Sequence, residues 1–565
     1  MPGAPGHDFH HRVSLRRVSL SRVSHRHVSH RHVSGRCALA VLTLSSLALA
    51  TGCGGGGGGS SPPTPPAPPF SSVTQVRVSQ LSTFSAGCDG VAANGILYLD
   101  AAVEPSLVLN PLSPLNLIAA WQQDRWSNGG SQGLMLAASF DGGMTWKLTN
   151  AAFSRCTGGN TLNGGDYARA SDPWLTVSPA GTVYALSLSF TGGILQPGSS
   201  SAMLVSSSTD GGMTWSMPHA LIQDGSGTFN DKGSITADPT DSNYVYAVWD
   251  RLTGATGGPS YLAVTADGGS TWQTARSIYD PGPQNQTLGN QLVVLPTGVA
   301  VDIFTEIDNT GAASSALLRA ISSSNHGAIW SAPVTISSLT AVGVTDPHSG
   351  TPVRDGSGIG SISVGPGGVI YVAWQDSRFS SGQRDGIAMV QSSDGGLHWS
   401  TPVEVNADPN VQAFTPTIHV RADGVIGVTY YDLRNDTSST ALFLTDCWLV
   451  TSSDGVNFRE THLSGPFDLH QAANAQGLFL GDYQALTATA TAFVPFYVQT
   501  GPNAHFFSDA FISFPPASAA TAAAGAAASF AARAAPAGTT LTPEGRRRVM
   551  ERIRLIRAQR RNQPG

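Results

Sequence analysis

Residues 139–146 read SFDGGMTW, and the chain writes nearly the same phrase again as STDGGMTW (208–215), TADGGSTW (265–272) and SSDGGLHW (392–399). Two degenerate copies keep the frame, SSNHGAIW at 323–330 and SSDGVNF at 452–458. An acid, two glycines and an indole in eight residues suit either a catalytic loop or a stiff turn. The turn reading follows from the chemistry of each position. The short Asp141 side chain can accept hydrogen bonds from the amides that follow it, Gly142 and Gly143 permit the positive φ of a tight hairpin, and Trp146 can pack over the bend. The chemistry of the protein is then expected on the segments between the copies.

Those segments hold a second recurring unit, a strand, a tight turn and a more apolar strand. It reads EPSLVLNPLSPLNLIAAW from Glu104, SDPWLTVSPAGTVYALSL from Ser171 and KGSITADPTDSNYVYAVW from Lys232, and returns from Asn290, Ile359, Thr415 and Asp482. Apolar runs of five to eight residues split by Pro-Gly, Asp-Gly or Asn-Pro are hairpins. Each of the first six is followed by a third strand, the Asp-Gly-Gly phrase and a fourth strand, at a period of about 57 to 69 residues. Four-strand repeats of that length predict an all-β fold, a β-propeller of four-stranded blades, with seven blades preferred over six. The seventh unit has a third strand at 505–514 but no fourth. Residues 74–79, TQVRVS, would supply it and close the ring, removing open sheet edges.

The pattern S-x-D-x-G-x-T-W is the Asp box, also called the bacterial neuraminidase repeat, and over residues 72–515 the chain resembles the sialidase-like propellers. The stretch WQQDRWSNGG with the later DGG-x-TW is similar to secreted bacterial proteins labelled exo-α-sialidase. The resemblance implies three arginines on a substrate carboxylate, an Asp acid/base, and a Tyr nucleophile whose proton a Glu removes. Guanidinium forks match a carboxylate, and a neutral Tyr avoids repulsion at a carboxylated anomeric carbon. Arg125, Arg251, Arg378 and Arg434 recur in register after inner hairpins, each beside an Asp, and Arg169 precedes Asp172 at the start of another. The same recurrence suits rim salt bridges that lock the blades. Asp172 is the expected acid/base and Tyr483 the expected nucleophile, with Tyr431 as its rival and Asp482 as an additional acid. Of six glutamates, Glu104 and Glu306 adjoin inner hairpins, and Glu306 is taken as the partner of the Tyr. Two features depart from the family. Its Phe/Tyr-Arg-Ile-Pro motif is absent, and its catalytic propellers have six blades.

The flanks read differently. Residues 1–53 combine a five-residue His/Arg/Val/Ser repeat with the uncharged run ALAVLTLSSLALA, too short to span a bilayer, and then Thr51, Gly52 and Cys53. Small residues before a Cys resemble the bacterial lipobox, which implies lipidation of Cys53. Residues 54–71 are then a Gly/Ser/Pro tether, and the domain is exported, anchored or secreted. Cys88 and Cys156 lie in turn-like sequence and are expected to form a disulfide, while Cys447 reads as a buried thiol. Residues 516–541 are an Ala-rich linker. Residues 542–565 form a basic amphipathic helix, read first as a solvated tail and otherwise as a segment touching an anionic surface or the acidic domain.

Of 31 Lys and Arg, seven lie in residues 1–36 and nine after Pro516, while all but three of the 37 acids fall between, so the middle is far more acidic than the net −6. That argues against nucleic acid as partner and leaves room for a structural Ca²⁺, though no EF-hand-type loop is present. No nucleophile elbow, phosphate loop or His-Glu-x-x-His occurs, and the histidines show no ligand spacing, so neither a cofactor nor a catalytic metal is expected. The leading expectation is a monomeric sialidase-like hydrolase acting on sialic acid or a related acidic sugar. Its rivals are a non-catalytic propeller that binds glycans or proteins, and a glycosidase for a neutral polysaccharide, which would need paired carboxylates in the central cleft.

Overall fold

The computed structural model describes residues 73–561, apart from 93, 255, 310–314, 437–440, 502–506, 517–528 and 537–539. The chain divides into a unit Met1–Ala67 and a unit Pro68–Gly565. The first, with Cys53, the signal-like run and most of the tether, lies outside the described residues.

The described strands group into seven antiparallel meanders, at residues 97–149, 169–224, 228–279, 286–338, 361–404, 413–468 and 485–514. All seven inner hairpins anticipated above pair as such, for instance Leu97–Leu109 with Leu117–Trp126 and Arg169–Val177 with Val183–Thr191. The last meander has three strands of its own. Its fourth is the strand Thr74–Arg77, antiparallel to Asp509–Phe514 with Val76 opposite Ile512. The Arg77–Asp509 ion pair at 2.9 Å and the Ser79 hydroxyl, which donates to Asp509 at 2.7 Å, pin the seam. The chain therefore closes on itself as a β-propeller.

The Asp-box turns show how neighbouring meanders seat on one another. Asp141 accepts from the amides of Met144 (3.0 Å) and Thr145 (2.9 Å) and from the Thr145 hydroxyl (2.6 Å), and Trp146 Nε1 donates to the Gly143 carbonyl at 2.9 Å. These bonds hold the Asp141 carboxyl far below its ordinary range. Gly143 has φ 94°, and a Cβ there would stand 2.9 Å from the Phe514 ring of the seventh meander. Gly212, the equivalent position one box later, would bring a Cβ to 3.0 Å from Ile118 of the first. Glycine is required at this turn both for its dihedral and for close approach to the preceding sheet.

Two features outside the repeats depart from expectation. Within the Ala-rich linker, Ser529–Ala531 adds to the outer edge of the sixth sheet and Arg533–Ala534 to that of the fifth. The basic segment is not a solvated tail. It forms helix α1 (Pro543–Arg561), capped by the Thr542 hydroxyl, which accepts from the Gly545 amide at 2.9 Å. Val549, Ile553 and Ile556 are buried with Leu288, Ile307 and Leu339 of the fourth meander region. The sequence misleads here because arginines at helical spacing look solvated, whereas Arg552 and Arg560 are buried against carboxylates. Cys88 and Cys156 form a disulfide, and Cys447 is a buried free thiol, as expected. Among the described residues no helix is long and apolar enough to cross a membrane.

Candidate functional site

Each inner strand of the first, second, third, fourth and sixth meanders carries a bulge at the same point, where its pairing skips a residue. The bulged residue has positive φ in each: Glu104 54°, Asp172 52°, Lys232 45°, Gly289 70° and Thr415 50°. Left-handed backbone at a non-glycine residue costs about 1 kcal/mol or more, and such residues cluster at functional sites. In three consecutive meanders the bulge presents an ionisable side chain, and the three side chains meet.

Lys232 Nζ lies 3.3 Å from Glu104 Oε1, 3.0 Å from Asp172 Oδ1 and 2.6 Å from Asp482 Oδ2. The Arg354 fork grips Asp482 through Nε (3.1 Å) and Nη2 (2.6 Å). Arg354 and Arg125 stand over the Phe479 ring at 4.5 and 4.9 Å. Gln122 donates to Glu104 and, at 3.0 Å, to Ser171, and accepts from Arg125 Nη1 at 2.6 Å. Glu104, Asp172 and Arg125 are almost wholly buried.

Burial divides the carboxylates into two protonation states. It drives Glu104 up to about 8; the Lys232 ammonium opposes this, and the charges of Asp172 and Asp482 add to it. At Asp172 burial acts in the same sense, but Lys232 and a hydrogen bond from Glu104 outweigh it and leave the carboxyl below its ordinary value. Asp482, although buried, is held far below the ordinary range by Arg354 and Lys232. At neutral pH one acid keeps its proton beside two that have lost theirs, the separation of roles that acid/base chemistry uses. A cavity of about 180 Å³ runs along the inner strands beside Trp174, His419, Asp482 and Tyr483. Among the described residues no group of three or more His, Cys, Asp or Glu is placed to hold a metal ion.

The structure brings together only some of the residues singled out from sequence. Asp172 is in the cluster, as are Arg125 and Asp482. Tyr483 borders it, with its hydroxyl donating to the Pro173 carbonyl at 3.1 Å. Burial, followed by the charges of Glu104, Asp172 and Asp482, pushes that phenol well above its ordinary value. Glu306 is elsewhere, accepting from Tyr279 (2.7 Å) and Arg319 (3.1 Å) at the edge of the fourth meander, so it is not the partner of Tyr483. Tyr431 is buried in the core and bonds Val498.

Four of the five arginines have structural partners away from the cluster. Arg169 donates to Asn128 and to the Gly129 carbonyl, both at 2.7 Å. Arg251 grips Asp224, Arg378 pairs with Asp376 and reaches the Ser338 carbonyl, and Arg434 joins Asp432 to Glu460. At Arg251, Arg378 and Arg434 the recurrence in register therefore marks bracing pairs, and the five do not assemble a three-arginine carboxylate clamp. Sequence reasoning missed Lys232 and Arg354 and passed over Glu104. The signal was present: aligning the hairpin starts as Glu-Pro-Ser, Asp-Pro-Trp, Lys-Gly-Ser, Gly-Asn-Gln and Thr-Pro-Thr puts the bulge residue first in every copy.

No family model matches the chain. A xyloglucanase of Hypocrea jecorina (strain QM6a) is 24% identical over 400 residues, which are 66% of this chain and 41% of that protein. The match thus spans about two fifths of the relative's length. Among solved structures, an α-L-arabinanase of Penicillium chrysogenum complexed with arabinobiose superposes with a TM-score of 0.41 at 14% identity, over 78% of this chain and 98% of its own. A Hadza microbial sialidase gives 0.40 at 16%, over 70% and 76%. These likenesses single out no sialidase family.

Proposed function

We propose that the protein is a glycoside hydrolase acting on a neutral saccharide at the propeller axis. The observation that carries this is the pair Glu104 and Asp172, one protonated and one ionised, held on a single ammonium. Their distances to Lys232 Nζ bound the two oxygens to about 6 Å. The hydrogen bond between them sets them closer still, so the wider gap that admits an inverting water is not present, and retention requires the pair to part around the substrate. Glu104 would protonate the departing glycosidic oxygen while Asp172 attacks the anomeric carbon. A water, deprotonated by Glu104, would then release the sugar from Asp172. Lys232 and Arg354 keep Asp172 and Asp482 ionised, and Tyr483 braces the Asp172 turn through Pro173.

A sialoside fits this geometry less well. Its own carboxylate would approach the Asp172 charge, and four of the five arginines expected to bind it are engaged elsewhere. The relative named as a xyloglucanase supports the neutral reading. The disulfide supports an oxidising compartment, so export, with Cys53 as a lipid anchor, belongs to the same proposal.

The test is release of reducing ends from xyloglucan and arabinan, and of aglycone from an aryl α-sialoside, by the full chain, Glu104→Gln and Asp172→Asn. Cleavage of a neutral saccharide that falls at least about 100-fold in both variants is expected. Cleavage of the sialoside alone would overturn the neutral reading. Saccharide binding without turnover would make the protein a non-catalytic glycan-binding propeller.

A further inference from the structure

We propose that helix α1 is a displaceable cover that controls access to the axial carboxylates, an inference that rests on the hydrolase reading for the identity of what it excludes. The route of the chain favours this. After the seventh meander the chain straps the outer edges of the sixth and fifth sheets through Ser529–Ala531 and Arg533–Ala534, and only then enters the helix. Arg533 fastens the strap on Glu404 at 3.0 Å.

The helix lands at the cluster. Arg552 donates to Ser357 at 2.7 Å and pairs with Asp355, the residue after Arg354. Arg560 pairs with Asp231, the residue before Lys232, at 3.3 Å, and with Asp250, and donates to the Thr287 carbonyl at 2.8 Å. Between helix and cluster there is a cavity of about 40 Å³, with Lys232, Arg354 and Asp482 on one side and Arg552, Ile556, Gln559 and Arg560 on the other. A space of that size holds a water or two, whereas small-molecule pockets run to hundreds of Å³. A helix serving as a wall of the binding site would leave room for a sugar ring, and α1 leaves none on this side.

The attachment is also of a kind that can be undone. It combines a few apolar side chains with buried ion pairs. Such pairs contribute little net stability when intact, yet breaking one by removing a partner is strongly unfavourable. Arg547 and Arg554 on the opposite face of the helix are exposed to solvent.

The experiment uses the full chain carrying Ser357→Cys, whose thiol would lie beneath Arg552, and follows its alkylation by a maleimide through peptide mapping, alone and combined with Arg560→Glu. Ile553→Asp, which attacks the apolar half of the same contact, serves as a second release variant. Alkylation is expected to be at least tenfold faster in both release variants, with kcat/KM on the neutral saccharide at least tenfold higher. Equal alkylation rates would overturn the proposal, and so would faster alkylation with an unchanged, measurable turnover. Faster alkylation with no turnover in any form would uphold the cover and sink the hydrolase reading instead.

Discussion

Glu104, Asp172 and Lys232 occupy backbone positions that favour glycine, and Gly289 fills the same position in the next meander. Three strained residues in succession cost a few kcal/mol in all, and the Lys232–Asp172 ion pair with the hydrogen bonds of Glu104 offsets it only while the protonation states hold. This gives a pH dependence with a definite sign. With Glu104 raised to about 8, the folded state binds a proton that the unfolded chain releases near its ordinary value. The stability it contributes is fully present below the ordinary carboxylate range and is lost as pH rises through about 8. The general acid is lost over the same interval, so kcat/KM should fall tenfold per pH unit above about 8. On the acid side it should hold until Asp172 protonates, below the ordinary range. A pH–rate profile checks this, with Lys232→Met expected to move the alkaline limb to higher pH because the ammonium is what restrains Glu104. An alkaline limb unmoved by that substitution would remove Glu104 from the acid's role.

At the scale of elements, the closing strand makes the sharpest test. Val78, just beyond Thr74–Arg77, is buried in the same cluster as Trp121, Tyr497 and Ile512, whereas Leu81 is 56% exposed. Val78→Asp places a charge against the seam between first and last meanders and should cost about 3 kcal/mol or more. Leu81→Asp should leave the unfolding midpoint unchanged. Because the strand joins both ends of the chain, the loss should appear in one cooperative transition of the whole propeller, measured in urea by tryptophan fluorescence. A separate early transition would mean the seam is not part of the core. This strand was legible in TQVRVS because its alternation and the missing fourth strand of the last repeat point to each other. The hairpins were legible for the same reason, period-two patterning broken by turn residues. Helix α1 was legible as a helix, with Thr542 and Pro543 at its start, but its docking was not, since arginines buried on carboxylates and arginines in water look alike in sequence. The site was half legible: Asp172 announced itself and the aligned hairpin starts mark Glu104 and Lys232, while Arg354 lies on the short strand Val353–Arg354, outside the repeat, where no periodic pattern records it.

For the molecule as a whole, stability depends on a ring closed by strand pairing at one seam, so the seam carries the burden that a continuous sheet would spread. The Cys88–Cys156 disulfide ties the segment that follows the closing strand to the segment that follows the first meander. It encloses the first meander in a loop with a sequence separation of 68, and Gly133 inside that loop packs within van der Waals reach of Phe84, just ahead of Cys88. Chain-entropy reasoning sets an upper bound of about 4 kcal/mol for a loop of that length. Spread over a domain of this size, that is a fall in Tm of about 4 °C on reduction. Reduction should also make the segment from Cys88 to Cys156 the first to be cut by protease, while the buried Cys447 stays unreactive until the propeller unfolds globally. Differential scanning calorimetry with and without reductant, with mass-mapped limited proteolysis, reads both effects. An unchanged Tm with first cleavage in another meander would show that the seam is held by the closing strand alone, and that the disulfide records only the compartment in which the protein folds.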